Sequence, residues 1–295
     1  MEKKRTNMVY HYSPLRYPGG KNCIFNFVSK LIRENNLEGS GYAEPYAGGA
    51  GLAVRLLLEG LVNHIYINDF DRSIYAFWKT IVNDSEKFCR WIESVEVSTK
   101  SWDFFKKIQE NQKNSDLFEL AQSTFFLNRT NVSGVIKGGM IGGKDQSGKY
   151  KIDARFNKKE LIKRIQKISK AKKKISVSNL DGLKFVDRMD KKNKEIFIYL
   201  DPPYYQKGAN LYMNFYSKED HQKLSEYVKS MNKRWMVSYD NHDFILNLYH
   251  ERRKVVHKLS QSTSNRVGDE ILVFSDGLKF DKSIEFLKEP ILLGL

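Results

Sequence analysis

Asp201-Pro202-Pro203-Tyr204 is the stretch of this 295-residue chain whose chemistry is easiest to name. It follows the apolar run Ile196-Phe197-Ile198-Tyr199-Leu200, which reads as a buried parallel strand ending abruptly at the aspartate. The two prolines lock φ and remove two backbone donors. Carbonyls and the Asp201 carboxylate are left as acceptors at the carboxyl end of a strand, where open α/β sheets bind ligands. Such a site accepts hydrogen bonds from an amino group. Tyr204 adds an aromatic face with a polar tip, suited to stacking on a planar base. Acceptor and platform together describe a pocket for adenine; the plainer reading is a structural proline turn with Asp201 exposed and Tyr204 packed.

A second constellation lies upstream. Gly49-Ala50-Gly51, between a short predicted strand and a helix, resembles a dinucleotide-binding glycine loop lacking its third glycine. Glycine matters there because a side chain would hold a ligand away from the backbone N–H groups at the helix start. The acidic residue expected about 20 positions later to accept from ribose hydroxyls is present as Asp69. The pair fits an adenosine-bearing ligand, and a plain strand-to-helix turn is the alternative. Gly19-Gly20-Lys21 is not a phosphate-binding P-loop, since Leu15 and Asn22 stand where that motif needs Gly and Ser or Thr.

The elements that must position these residues follow from periodicity. Ile24, Phe27, Val28, Leu31 and Ile32 predict a helix, Tyr42 to Tyr46 a strand, Leu52 to Leu57 a helix and Ile65 to Ile67 a strand, together a βαβ unit. From Asp71 to about Asn131 the pattern is helical, with bulky apolar faces that include Trp78, Phe88, Trp102, Phe125 and Phe126. Residues 132–151 hold six glycines among lysines, too long and glycine-rich for an ordinary connection, and predict a mobile or functional loop. Residues 158–174 predict a strongly basic amphipathic helix. Strands are expected again at Ile175 to Ser178, Ile196 to Leu200, Trp235 to Tyr239, Val255 to Leu259 and Glu270 to Phe274. The two α/β stretches complete one sheet interrupted by a helical insert.

Composition narrows the function classes. Lys and Arg number 50 against 35 Asp and Glu, a formal charge of +15 that favours a polyanionic partner such as nucleic acid. Two cysteines, Cys23 and Cys89, without metal-type spacing disfavour a disulfide scaffold or a structural zinc site, and no metal is expected. No apolar run approaches the ~20 residues that span a bilayer, and the polar, basic start lacks a signal-peptide core. A cytoplasmic protein with no membrane partner is the expectation.

In order and spacing, the motifs resemble those of the Dam-like, D12 class DNA adenine N6-methyltransferases, over nearly the whole chain. The matching segments are Leu15-Arg16-Tyr17-Pro18-Gly19-Gly20-Lys21, Ala43-Glu44-Pro45-Tyr46-Ala47-Gly48-Gly49-Ala50-Gly51, Asn68-Asp69, Phe126-Leu127-Asn128-Arg129 followed by Ser133-Gly134, Arg155-Phe156, Asp201-Pro202-Pro203-Tyr204 and Asp269-Glu270-Ile271-Leu272. Two departures stand out: Ala50 occupies the family's last loop glycine, and residues 132–151 lack those that relatives specific for GATC carry there.

The resemblance implies an α/β, Rossmann-like methyltransferase sheet made of residues 1–80 and 172–295, with residues 81–171 as an inserted, mainly helical target-recognition domain. It implies S-adenosyl-L-methionine as methyl donor and double-stranded DNA as substrate, with a cognate restriction endonuclease as a candidate partner. Tyr17, Lys21, Glu44, Tyr46, Gly48, Gly49, Asp69 and Asp181 would surround the cofactor. Asp201, Pro202 and Tyr204 would handle an adenine rotated out of the duplex, a strategy of methyltransferases as a class. Asn128, Arg129, Lys137, Lys144, Lys149 and Arg155 are the candidate DNA contacts, with a structural role at a helix end as the alternative for Asn128. Three rivals remain open: an RNA adenine methyltransferase, a nicotinamide-dependent oxidoreductase sharing the glycine loop and Asp69, and a catalytically dead nucleic-acid-binding protein.

Overall fold

The run Ile196–Leu200 forms a strand in which every residue is buried, because helices cover both faces of the sheet it belongs to. That sheet is seen in a computed structural model that describes residues 12–17, 19–205, 216–260 and 267–294. Five strands run parallel: β1 (Gly41–Glu44), β2 (His64–Asn68), β3 (Ile175–Ser178), β4 (Ile196–Leu200) and β5 (Trp235–Asp240). Three more, β6 (Lys254–Ser260), β7 (Val267–Phe274) and β8 (Ile291–Leu293), pair antiparallel. The order is β3-β2-β1-β4-β5-β7-β6-β8, with β7 inserted antiparallel beside β5. Strand order reverses between β1 and β4, and a ligand crevice is expected outside the carboxyl ends of those two strands.

Alternation along the strands divides the core in two. Tyr42, Ile65, Phe197, Tyr199, Met236 and Leu272 face one layer, with α1 (Phe25–Glu34), α2 (Gly51–Leu58) and α3 (Arg72–Asn83). Ala43, Tyr66, Ile198, Val237 and Ile271 face the other, with α8 (Gly182–Asp190), α9 (Lys218–Ser230) and α10 (Asp243–Leu248). The helical insert continues from α3 through α4 (Ser85–Ser94), α5 (Thr99–Glu110), α6 (Leu117–Thr130) and α7 (Lys158–Ser169). Its aromatic residues do not form a core of their own. Phe77, Phe88, Trp102, Phe105 and Phe125 belong to the apolar cluster that contains Tyr42 and Phe197. Phe77 stacks on Phe125 at 5.8 Å, and Phe88 meets both edge-on. Each such side chain contributes about 1.5–3 kcal/mol by burial.

Local chemistry starts the helices where they start. Asp71, Ser98, Asp116, Asn157 and Asp181 accept from first-turn N–H groups of α3, α5, α6, α7 and α8. Ser217 and Asp220 form a reciprocal capping box on α9. The basic helix expected over 158–174 ends at Ser169, and Lys172–Lys174 form a 3-10 turn that leads into β3. Strand β8 was not expected; it is three residues long, and Ile291 is 60% exposed.

The glycine-rich segment 132–151, expected to be mobile or functional, is tied down by its own hydrogen bonds. Gln146 donates to the carbonyls of Ile141 and Gly143 and accepts from the Ile152 N–H, while Gly148 N–H meets Gly142 O. Gly142, at φ +87°, lies where a Cβ would come within 2.7 Å of the Tyr150 carbonyl. Among the described residues no helix is long and apolar enough to cross a membrane.

Candidate active site

The carboxyl ends of β1, β2 and β4 open into a cleft of about 610 Å³. Tyr17, Lys21, Glu44, Tyr46, Gly49, Asp69, Lys137, Asp181 and Asp201 line it. Gly48 belongs to the same loop. A Cβ on Gly48 or Gly49 would lie 2.6 or 2.8 Å from Tyr17, so the bare backbone lets that ring lie against the loop. Gly48 has φ +46° and Ala50, the residue replacing the expected glycine, φ +42° as the N-cap of α2. Alanine holds a left-handed conformation there at a cost of about 1–2 kcal/mol.

The loop is fixed by carboxylates. Asp69 Oδ2 accepts from Gly48 N–H at 2.8 Å and Oδ1 from Asp71 N–H at 2.9 Å. Glu44 accepts from the Ala53 N–H at the start of α2 and from the Tyr42 hydroxyl. The Asn68 amide joins three strand ends by donating to Pro45 O and Leu180 O and accepting from Leu180 N–H. Burial pushes the Glu44 carboxyl up to about 8, and burial followed by the nearby Asp71 charge pushes Asp69 up to about 7. A ligand that donates ribose hydroxyls to Asp69 binds best once that group is ionised. We expect the affinity for S-adenosyl-L-homocysteine to rise between pH 6 and 8, by at most about tenfold per unit below the carboxyl's midpoint. Titration calorimetry across that range checks this, and Asp69→Asn should flatten the slope.

At the end of β4 the polar residues all lie on one face of the sheet. Phe197 and Tyr199 face the first core, and Asp201 continues their alternation. Asp201 Oδ1 accepts from Lys21 Nζ at 2.5 Å and from Ser238 Oγ at 2.8 Å. Lys21 Nζ also lies 3.3 Å from Glu270 Oε1 and donates to the Tyr204 hydroxyl at 3.1 Å. The Tyr204 hydroxyl in turn donates to Glu270, and Tyr205 N–H is held by Asp240 at 2.9 Å. Burial pushes both carboxyls up. At Glu270 the Lys21 ammonium, His257 and the Tyr204 hydroxyl outweigh burial and hold the group at about 2. Asp201 stays above the usual aspartate range: burial raises it, the Glu270 charge adds to that, and Lys21 opposes.

The structure separates the expected DNA contacts. Lys137, Lys144, Lys149 and Arg155 are exposed. Arg129 is half-buried, donating from Nε to the Arg155 carbonyl at 2.7 Å; burial and then the charges of Arg16, Arg164 and Arg155 lower its pKa to about 9. Of the two readings open for Asn128, DNA contact and structural helix-end residue, the structure rules out the first. Asn128 is wholly buried, accepting from Arg16 N–H at 2.8 Å and donating to the carbonyls of Arg16 and Gly134 at 2.6 and 2.8 Å, so its amide clamps the amino-terminal motif to α6 and reaches no solvent. Lys21, expected among the cofactor contacts, lines the cleft but is engaged by Asp201 and Glu270. Pro18 of the amino-terminal motif lies outside the described residues. Phe70, 57% exposed beside Asp69 in the cleft, and Ser238 and Asp240 carry no role in the sequence, and Glu270 shows there only within the Asp269-Glu270-Ile271-Leu272 motif. For the three polar residues the signal is a polar side chain breaking an otherwise apolar alternation, as in Glu270, Leu272 and Phe274 on one face of β7. Among the described residues no group of His, Cys, Asp or Glu could hold a metal ion.

A glycine loop, an acidic strand end and an acceptor-rich strand end thus share one crevice of an α/β fold. The chain belongs to the D12 class N6 adenine-specific DNA methyltransferases, a family that matches residues 17–264. It is similar to the type II methyltransferase M.MjaIII of Methanocaldococcus jannaschii, 25% identical over 259 residues that cover 80% of this chain and 86% of the relative. It is also similar to the type II methyltransferase M.CviBI of Paramecium bursaria Chlorella virus NC1A, 26% identical over 253 residues covering 79% and 86%. Among solved structures, protein LPL1258 from Legionella pneumophila overlays with a TM-score of 0.40 at 8% identity, covering 95% of this chain and 90% of its own. The activity is methylation of DNA at adenine N6.

Proposed function

We propose that the protein transfers a methyl group from S-adenosyl-L-methionine to the N6 of an adenine rotated out of duplex DNA, at one specific sequence. The observation that carries this reading is that Asp201 opens onto the same cleft as Gly49 and Asp69, so that amine acceptor and nucleoside cradle share one space. The residues present fit the cofactor. Gly48 and Gly49 leave backbone open to it, Asp69 would accept from its ribose, Phe70 would lie against its adenine, and Asp181 would meet the adenine amino group. When bound, it supplies an electrophilic methyl carbon on a sulfonium centre.

The chain's own residues supply the rest. The lone pair of adenine N6 is delocalised into the ring, which makes it a poor nucleophile. The Asp201 carboxylate and the Pro202 carbonyl would take hydrogen bonds from both N6 hydrogens, favouring a pyramidal nitrogen and stabilising the charge that develops as the N–C bond forms. The displaced N6 proton would leave through Asp201. Tyr204 would hold the ring of the extruded base. Extrusion costs a few kcal/mol, which phosphate contacts can offset. Lys137, Lys144, Lys149, Arg155 and the cluster of Arg16, Arg129 and Arg164 supply cations for that track. The type II designation of both relatives supports a cytoplasmic role beside a cognate restriction endonuclease.

Long-read sequencing of DNA from cells expressing the protein tests the reading. N6-methyladenine confined to one sequence context is the expected result; its absence, with tritium transfer to RNA alone, would overturn it.

A further inference from the structure

Glu270 is a buried carboxylate on a sheet face that is otherwise apolar along its strand, with Leu272 and Phe274 next in alternation. It sits in register with Asp240 on β5 and with His257 on β6. These residues, with Ser238, share one face at the end of the sheet that bears the cleft. A buried carboxylate is costly unless paired and hydrogen-bonded. Two of the groups that compensate Glu270 belong to the site: Lys21 Nζ at 3.3 Å and the Tyr204 hydroxyl. Its second oxygen faces His257 Nε2 at 3.2 Å.

The ammonium of Lys21 is thus shared by two carboxylates, Asp201 at 2.5 Å and Glu270 at 3.3 Å, with the Tyr204 oxygen as a third acceptor. Without the Glu270 charge, Lys21 would pair with Asp201 alone and mask the acceptor that the adenine amine needs. Tyr204 would lose the charged acceptor of its hydroxyl, and its hold would fall to the Lys21 side.

We infer that Glu270 is a positioning residue for methyl transfer, holding the Lys21 ammonium and the Tyr204 ring so that Asp201 stands ready before the base arrives. The inference rests on Asp201 being the amine acceptor, as proposed above. It commits to a result that a merely structural ion pair would not give. Removing the Glu270 charge takes away a neighbour that disfavours ionisation of Asp201, so the acid limb of the rate profile moves to lower pH.

The test is single-turnover transfer of tritiated methyl to PCR-amplified, hence unmethylated, DNA by the full chain, over pH 5 to 9. For Glu270→Gln the expected outcome is a fall of about 100-fold at neutral pH, an acid limb displaced downward, unchanged affinity for S-adenosyl-L-homocysteine, and partial recovery in Glu270→Asp. A rate within about threefold of the parent, given that small scale against the expected loss, or an unmoved limb, overturns the inference. If Glu270→Gln does not fold, Tyr204→Phe decides. It keeps the ring and removes only the hydroxyl, so the brace requires a loss of about tenfold, and an unchanged rate refutes it. Full activity in Glu270→Gln beside an inert Asp201→Ala overturns this inference alone. An active Asp201→Ala overturns the acceptor reading and this inference together.

Discussion

Asp201→Ala should abolish methyl transfer, lowering the single-turnover rate by about 10³-fold or more, while the protein stays folded and binds S-adenosyl-L-homocysteine as the parent does. The carboxylate is where the amine would be gripped, and neither Ser238 nor Lys21 can replace it as an acceptor of the same charge. The fold should survive because the Lys21 ammonium still has Glu270 at 3.3 Å, and the Asp201 side chain is itself 22% exposed, so no unpaired charge is left in the core. Tritium transfer, circular dichroism and calorimetry on one preparation check all three parts. Measurable turnover near the parent level would remove Asp201 from the chemistry.

Lys21→Met should have the largest effect on stability. Lys21 is 5% exposed and bridges two carboxylates, and deleting it leaves Asp201 and Glu270 facing each other without the ammonium they share. Removing one partner from a buried charge cluster costs about 3–5 kcal/mol. The loss should depend on pH with a definite sign. In the variant one carboxyl takes up a proton, so its folded pKa lies above the unfolded value near 4. The folded state then binds more protons than the unfolded one, and stability is kept at low pH and lost as pH rises through the raised pKa. Denaturant melts should show a small deficit relative to the parent at pH 5 and a large one at pH 8. A deficit independent of pH would mean that Lys21 serves by packing alone.

These two residues also mark how far the sequence could be read. Asp201 was legible because a run of five apolar residues stopping at two prolines is a local signal, and a parallel strand end is where such a signal has chemical meaning. The glycine loop and Asp69 were legible for the same reason: their spacing lies within a single βαβ unit. Lys21 was visible as a residue but not as a partner, since Asp201 is 180 positions away and no period links them. Glu270 shows within a strand motif but not as a partner of Lys21, because its neighbours lie on β5 and β6 and in the amino-terminal segment. Asn128, beside an arginine at a helix end, reads equally as a DNA contact or as a structural residue. Its burial depends on the packing of Arg16, 112 residues earlier. The separate helical domain expected from the long aromatic stretch shares the core of the sheet, since helical periodicity reports that a face is buried and not against what.

The antiparallel placement of β7 between β5 and β6 bears on biosynthesis. Lys21 is synthesised long before Glu270, yet both meet at the same strand end. A nascent chain that has already made its glycine loop and its proline-stiffened aspartate still lacks the strand that anchors Tyr204. Contacts of such long sequence separation form slowly, so a chain truncated before β7 should be inert in methyl transfer.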